Sequence, residues 1–209
     1  NDPDMMIAGM PGISDTQSRS FFSLWCLMAA PLIAGNDLRS MSEATVEMLT
    51  NSEAIGVNQD PLGIQGKIVW ADGTISLWAG KPLFDGSQAV LVFNQGSHPV
   101  QKRIAWTEIG IDSEASCYVR NLWTHGTTGP LTGGATVDVA PGDVAMLRVS
   151  RKNDFPLPPI IVADSYVVSL RSKGSAPQKL SGAITITSKG SVELPLWRVG
   201  EGLPSWLSV

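Results

Sequence analysis

The 209-residue sequence predicts an α/β segment, an antiparallel β-sandwich and a partial β-module, so its fold class is α/β plus all-β. An apolar helix, a short apolar run and a second helix follow one another in residues 1–64. Short alternating strands separated by turn residues fill residues 65–150, as in a sandwich. A proline-rich linker then opens residues 151–209, where strand-like runs resume. These three ranges are the predicted domains.

The first helix is predicted over residues 14–30. Ser14 and Gln17 have the spacing of a capping box, in which each side chain accepts a hydrogen bond from the other residue's backbone N–H. Apolar side chains follow nearly all round this helix, so we expect it to be buried on more than one side. Pro31 is expected to end it, because proline cannot continue a helix.

A parallel strand and a second helix complete the α/β segment. The run at residues 31–35 is short and apolar, which suits a parallel strand covered on both faces. Ser42 is placed to begin the second helix, and Val46 and Leu49 are expected to face inward. The order of elements is therefore strand end, helix, strand, helix.

The β-region contains short strands with a regular spacing. The turn at Asp72 and Gly73 predicts a hairpin between the first two strands. Predicted strands lie at residues 67–70, 74–79, 89–93, 100–106, 116–123, 135–139 and 144–149, and further strand-like runs at 160–163, 166–170, 183–187 and 192–197. Residues 126–134, which contain several glycines and threonines, are predicted to form a surface loop.

Composition excludes several classes of partner. The chain has 15 basic and 19 acidic side chains, and no cluster of lysine and arginine with aromatic residues, which argues against nucleic acid. The longest apolar stretch, residues 21–34, is interrupted and shorter than the roughly 20 residues that cross a bilayer, so no membrane span is predicted. Cys26 and Cys117 lie far apart, which favours two buried free thiols over a disulfide.

The first five residues hold the only spacing that suggests acid/base chemistry. Asp2 and Asp4 would lie on the same side of an extended segment, with Cα atoms about 7 Å apart. Two carboxylates at such a distance are typical of the pair that flanks a glycosidic bond. The same residues are also common in turns and helix caps, and spacing alone favours that interpretation over a catalytic pair. His98 and His125 lack the spacing of metal ligands.

The four tryptophans of the β-region allow two interpretations. Exposed indoles stack on sugars, whereas tryptophan in a short strand more often fills the interior of a sandwich. Core packing is the interpretation that we favour. The residues concerned are Trp70, Trp78, Trp106 and Trp123.

Several segments closely resemble glycoside hydrolase family 27, which contains α-galactosidases and α-N-acetylgalactosaminidases. They are residues 1–5 (Asn-Asp-Pro-Asp-Met), 31–39 (Pro-Leu-Ile-Ala-Gly-Asn-Asp-Leu-Arg) and 58–66 (Asn-Gln-Asp-Pro-Leu-Gly-Ile-Gln-Gly), in the family's order and spacing. Residues 119–123 and 141–149 are similar to parts of the family's C-terminal sandwich. The resemblance extends over about residues 1–150. Residues 202–207 are similar to a stretch of bacterial immunoglobulin-like modules.

The resemblance implies a fold and a binding site. The family's catalytic domain is a (β/α)8 barrel, and residues 1–64 would be its last strands and helices. Asp4 and Met5 would end the seventh strand and line the galactose pocket, Asp4 as a polar support and Met5 as an apolar wall. The family's nucleophile and proton donor are aspartates of earlier strands whose motifs are absent here. We therefore assign no catalytic residue to this chain, and Asp2 does not form a catalytic pair with Asp4.

The resemblance also implies a function for a longer protein. A barrel needs about 250 residues, so we expect this chain to be the C-terminal part of an enzyme or to bind a second chain that completes the barrel. The implied reaction is retaining hydrolysis of terminal α-galactosides without a cofactor or metal, and the chain alone is expected to be inactive. β-L-arabinopyranosides and α-N-acetylgalactosaminides are alternative substrates within the family.

Two further expectations concern the localisation of the protein and a rival function. Family members are mostly secreted, periplasmic or lysosomal, and we expect a secreted or periplasmic protein here. The rival function is that of a non-catalytic carbohydrate-binding or adhesion protein, in which β-modules with exposed tryptophan bind sugar. The barrel-like segment at residues 1–64 favours the enzyme.

Overall fold

A computed structural model describes residues 4–158, 160–163 and 186–189. The chain divides into two compact units, Asn1–Phe155 and Pro156–Val209. In the second unit, strands β9 (Ile160–Ala163) and β10 (Ile186–Lys189) pair antiparallel. The runs predicted at 166–170 and 192–197, and the stretch at 202–207, lie outside the described residues. No helix in the described part of the chain has the length and apolar character needed to span a membrane.

The first helix, α1 (Asp15–Leu27), begins where the sequence predicts. The backbone N–H of Gln17 donates to the Ser14 hydroxyl at 3.2 Å, and the backbone N–H of Ser14 donates to the Gln17 side chain at 3.0 Å, which confirms the capping box. The predicted end at residue 30 is wrong. The helix ends at Leu27 because Ala29 adopts a left-handed conformation, with φ of 51°, before Pro31 is reached.

Two short helices follow, α2 (Glu43–Leu49) and α3 (Ser52–Asn58). Ser42 caps α2 as predicted, since its hydroxyl accepts the backbone N–H of Thr45 at 3.1 Å. Thr45 and Met48 form the buried face of this helix, whereas Val46 is 40% exposed. The expectation that Val46 faces inward is therefore wrong, whereas Leu49 packs against the core as expected.

The rest of the first unit is an antiparallel sandwich, as predicted. One sheet has the order β1-β2-β3-β8-β5-β6, with β1 Lys67–Asp72, β2 Ile75–Pro82, β3 Gln88–Asn94, β5 Ser116–Asn121, β6 Thr127–Thr132 and β8 Val144–Ser150. The second sheet pairs β4 (Val100–Ala105) with β7 (Gly134–Val139). A short 3-10 helix, Trp106–Ile109, follows β4.

The predicted surface loop at residues 126–134 is wrong in part, because it contains β6. This strand pairs with β5 at the edge of the larger sheet and is almost wholly exposed. Pro130 is tolerated there because an edge strand need not donate every backbone hydrogen bond. Glycine, proline and exposed threonine gave no alternation of apolar residues by which the strand might be predicted.

Strands β3 and β8 are buried on both faces and form the common wall of two cores. Leu91 and Met146 pack in a cluster with Phe22 of α1. The alternate residues Val90 and Leu147 pack in the sandwich interior. The helices therefore cover one face of the sheet, and β4 and β7 cover the other.

Both cysteines are free and buried, as the sequence predicts. Burial raises the pKa of the Cys26 thiol far above its usual range, although the nearby Lys81 opposes the shift. Burial also raises the pKa of the Cys117 thiol, with Arg151 opposing it. A thiol of this kind stays protonated and is a poor nucleophile.

Candidate functional site at a parallel bridge

The candidate site lies where two short parallel segments meet, at residues 4–6 and 33–39, which we call the strand-end edge. Met6 donates its backbone N–H to the Ile33 carbonyl at 2.8 Å, and Gly35 donates to the Met6 carbonyl at 2.9 Å. Met6 and Ala34 thereby form an isolated parallel bridge, so the strand predicted at residues 31–35 is correct in direction but is reduced to this one bridge. A Cβ on Gly35 would come within 2.7 Å of the Met6 carbonyl oxygen, so glycine is required for this close approach.

Asp4 and Met5 are both exposed at this edge. The Asp4 carboxylate accepts the backbone N–H of Met5 at 2.7 Å, and the Asp4 carbonyl accepts the indole N–H of Trp25 at 3.2 Å. Met5 is 48% exposed, whereas the next residue, Met6, is buried against the helices. The Trp25 contact therefore links the Asp4 backbone to α1. Asp2 lies outside the described residues.

The second segment brings further polar groups to the edge. Arg39 forms a two-point ion pair with Asp37, at 2.9 and 3.0 Å. The side-chain and backbone hydrogen bonds from Arg39 hold the pKa of the Asp37 carboxyl below its usual range, so it stays ionised. Both oxygens of the Asp37 carboxylate are thus bound by Arg39. The Asp4 carboxylate accepts the backbone N–H of Met5 and has more capacity to accept a hydrogen bond from a ligand.

Asn36 is a residue of this edge that sequence reasoning missed. Its side-chain oxygen and nitrogen are both buried, and neither has a hydrogen-bond partner among the described residues. A buried amide without a partner costs about 1–3 kcal/mol. Asparagine directly after an apolar strand was the one available signal in the sequence.

The third segment of the resemblance joins the helices to the sandwich. The Asn58 amide donates to the carbonyls of Trp25 at 3.2 Å and Ala30 at 2.8 Å, so it holds the end of α1. The Asp60 carboxylate accepts the backbone N–H groups of Leu62 at 3.0 Å and Phe84 at 2.9 Å. These residues are therefore structural, and they fix α1 behind the strand-end edge.

Side chains of the helices and of the sandwich also form ion pairs where these two regions meet. Glu53 of α3 accepts hydrogen bonds from Arg120 of β5 at 2.9 and 2.7 Å, and it contacts His125 Nδ1 at 2.6 Å. Burial alone would raise the pKa of the Glu53 carboxyl, but the bonds from Arg120 and His125 outweigh it and lower the pKa. We call these three residues the interface ion cluster.

The strand-end edge can bind a polar ligand but lacks the groups for hydrolysis. Acid/base cleavage of a glycoside needs two carboxyl groups on opposite sides of the bond. In residues 4–158, this edge offers Asp4 and the ion-paired Asp37. The described residues also contain no group of three or more His, Cys, Asp or Glu side chains that could hold a metal ion.

A parallel bridge backed by helices, and followed directly by an antiparallel sandwich, agrees with the α-galactosidase-type glycoside hydrolases that the sequence resembles. The family model described as "Alpha galactosidase A" matches residues 1–60, and the model described as "Alpha galactosidase C-terminal beta sandwich domain" matches residues 72–149. The chain belongs to glycoside hydrolase family 27 and corresponds to the C-terminal portion of its members. The family resemblance is thus confirmed.

Individual relatives agree with this assignment. A probable α-galactosidase of Dictyostelium discoideum is 41% identical over 157 residues, which are 73% of this chain and 40% of that protein. An α-galactosidase of Oryza sativa is 42% identical over 146 residues, or 70% of this chain and 34% of that protein. The crystal structure of α-galactosidase I from Mortierella vinacea has a TM-score of 0.68 and 30% identity, over 71% of this chain and 39% of the other. The chain therefore spans about two fifths or less of these relatives.

Proposed function

We propose that the chain is the C-terminal part of a retaining glycoside hydrolase that releases terminal α-galactose from oligosaccharides or glycoconjugates. In this proposal residues 1–64 form the last strands and helices of a (β/α)8 barrel, followed by the predicted sandwich at 65–150 and an accessory module at 151–209. The parallel bridge between Met6 and Ala34 is the observation that carries it, because successive strands of such a barrel are parallel neighbours.

The exposure of the strand-end edge supports a barrel completed by further strands. Parallel sheets are normally covered on both faces. Here Met6 packs against the helices, whereas Ile33 is 55% exposed and Met5 48% exposed. A missing barrel portion or a complementary chain would cover these apolar side chains.

Within this proposal Asp4 and Met5 bind substrate. The exposed Asp4 carboxylate would accept a hydrogen bond from a sugar hydroxyl, and Met5 would form an apolar wall. The reacting pair would come from the rest of the barrel: one carboxylate attacks the anomeric carbon, and a second carboxyl group protonates the leaving oxygen and then activates water. No step requires a cofactor. Secretion or export to the periplasm is part of the proposal and rests on the family resemblance.

The first test is a turnover assay of the purified 209-residue chain with nitrophenyl α-galactoside. We expect no turnover, because the described residues of the edge contain no second carboxylate free for the reaction. The complete protein should hydrolyse the same substrate, and nitrophenyl β-L-arabinopyranoside and α-N-acetylgalactosaminide measure its preference within the family. Hydrolysis by the chain alone would contradict the proposal.

The second test is Asp4→Asn in the complete protein. Loss of a charged hydrogen bond to the sugar should lower kcat/KM about tenfold or more. The midpoint of thermal unfolding should stay unchanged, because the side chain is exposed and its one described bond is to the adjacent residue. Glu43→Gln, an exposed acid of α2 outside the residues that form the edge, is the matched control. Kinetics equal to those of the control would remove Asp4 from the binding site.

A further inference from the structure

A cavity lies between α1, α2 and the turn after β5. It shares no residue with the strand-end edge. Its volume is about 350 Å³, at the lower end of the range for small-molecule sites. The side chains on which its chemistry depends are Asp15, Arg19, Glu47, Met48, Trp123 and His125. All of them belong to the first compact unit.

The acceptors of this cavity are two exposed carboxylates. Asp15 lies one helical turn before Arg19, where the two would normally form an ion pair. Arg19 instead binds Asp143 of the sandwich through two nitrogens, one of them Nε at 3.0 Å. Consequently Asp15 has no ion-pair partner among residues 4–158, and the same holds for Glu47. Both carboxylates are available to a ligand.

Arg19 and His125, two other polar groups of the lining, are held in place by the sandwich. His125 has a left-handed backbone, with φ of 56°, and its Nδ1 donates to the Glu53 carboxylate of the interface ion cluster at 2.6 Å. In this tautomer Nε2 is an acceptor, and it makes no hydrogen bond to another described residue. The guanidinium of Arg19, oriented by Asp143, lines the same cavity.

Trp123 supplies a rigid apolar wall. Its indole N–H donates to the Ser23 hydroxyl at 3.1 Å, and its ring packs edge-on against Phe22 with centroids 6.1 Å apart. The ring is half-buried, and the buried Met48 lines the cavity beside it. Because these contacts fix the indole, binding a ligand would order few further side chains.

We propose that this cavity is a second, non-catalytic site for a neutral sugar. A phosphate group would meet two carboxylates without ion-pair partners, whereas a metal ion or an amine would meet the Arg19 guanidinium. Sugar hydroxyls both donate and accept hydrogen bonds, so they match a lining that offers acceptors and donors together. The apolar face of a sugar ring packs favourably on an indole. The assignment extends beyond the hydrolytic function, because it adds a binding site that takes no part in bond cleavage.

The experiment is a titration of the ¹⁵N-labelled 209-residue chain with methyl α-D-galactopyranoside and methyl α-D-glucopyranoside, followed by NMR. The indole resonance of Trp123 is assigned by its absence in Trp123→Phe. We expect this resonance to shift in a saturable manner with at least one sugar. Asp15→Asn and Glu47→Gln should each weaken binding about tenfold. Glu43→Gln, on the same helix as Glu47 but outside the cavity lining, should leave the affinity unchanged.

Two outcomes would overturn the assignment. One is the absence of a Trp123 shift with both sugars in a chain whose spectrum shows a folded protein. The other is binding that Asp4→Asn abolishes while Asp15→Asn and Glu47→Gln leave it intact, since the sugar would then occupy the strand-end edge. Turnover is not a readout, so either result leaves the proposed hydrolase function to its own tests.

Discussion

The side chains of the sandwich are buried by other residues of this chain, whereas those of the strand-end edge are only partly buried. In the sandwich, β3 and β8 are covered on both faces, and residues such as Val90 and Leu91 are fully buried. At the edge, one side chain of the parallel pair is buried, but Ile33 is 55% exposed. The stability of the chain therefore derives mainly from the sandwich and its helical cover. The proposed binding groups lie where burial is incomplete.

The largest expected effect is in the sandwich. Trp106 is fully buried, and its indole N–H donates to the Ala115 carbonyl at 3.1 Å. Trp106→Ala should lower the free energy of unfolding by about 3–5 kcal/mol, because it leaves a cavity and an unpaired carbonyl. Urea denaturation of the 209-residue chain measures the loss. A loss below about 1 kcal/mol would place the main source of stability elsewhere.

An intermediate effect is expected at the interface ion cluster. Glu53→Gln removes the charge that binds Arg120 and His125, in a side chain that is 15% exposed. We expect a loss of about 1–2 kcal/mol in the free energy of unfolding at neutral pH. Thr50→Ser, in the adjacent turn and without a role in the cluster, is a suitable control.

The loss of stability in Glu53→Gln should depend on pH. The folded pKa of Glu53 is lowered, so its contribution is complete above the unfolded pKa and disappears as the pH falls through the folded value. The difference in stability between the wild type and Glu53→Gln should therefore be largest near neutral pH. It should shrink below about pH 4, the ordinary range for a glutamate. A constant difference down to pH 2 would show that packing, not charge, is lost.

The smallest effect is expected at the strand-end edge. Ile33→Ala should change the stability of the 209-residue chain by no more than about 0.5 kcal/mol, because the side chain is largely exposed. In the complete protein, where further barrel strands would cover it, the same change should cost about 2–5 kcal/mol. Thermal unfolding of both forms gives the comparison. Equal, small losses would argue against a barrel that covers this edge.

Local signals explain how much of the fold could be predicted. The start of α1 follows from Ser14 and Gln17, and the buried strands β3 and β8 follow from continuous apolar runs. The end of α1 was missed because a left-handed alanine, Ala29, carries no mark in the sequence. Strand β6 was missed because its pairing with β5, not its own composition, makes it a strand.

The candidate site was less accessible to sequence reasoning. Asp4 and Met5 were identified through the family resemblance, since their spacing alone also suits a turn. The unpaired amide of Asn36 depends on tertiary packing, which a single sequence does not display. Glu53 and Arg120 are 67 positions apart, so no local pattern could pair them.

The shared wall of β3 and β8 has a practical consequence for anyone who wishes to dissect this protein. The sequence suggests a cut near residue 65, between helices and sandwich. Such a cut would leave Leu91 and Met146 facing water in place of Phe22. An excised sandwich would thus expose an apolar surface and tend to aggregate. Useful truncations should therefore keep α1 and α3 attached.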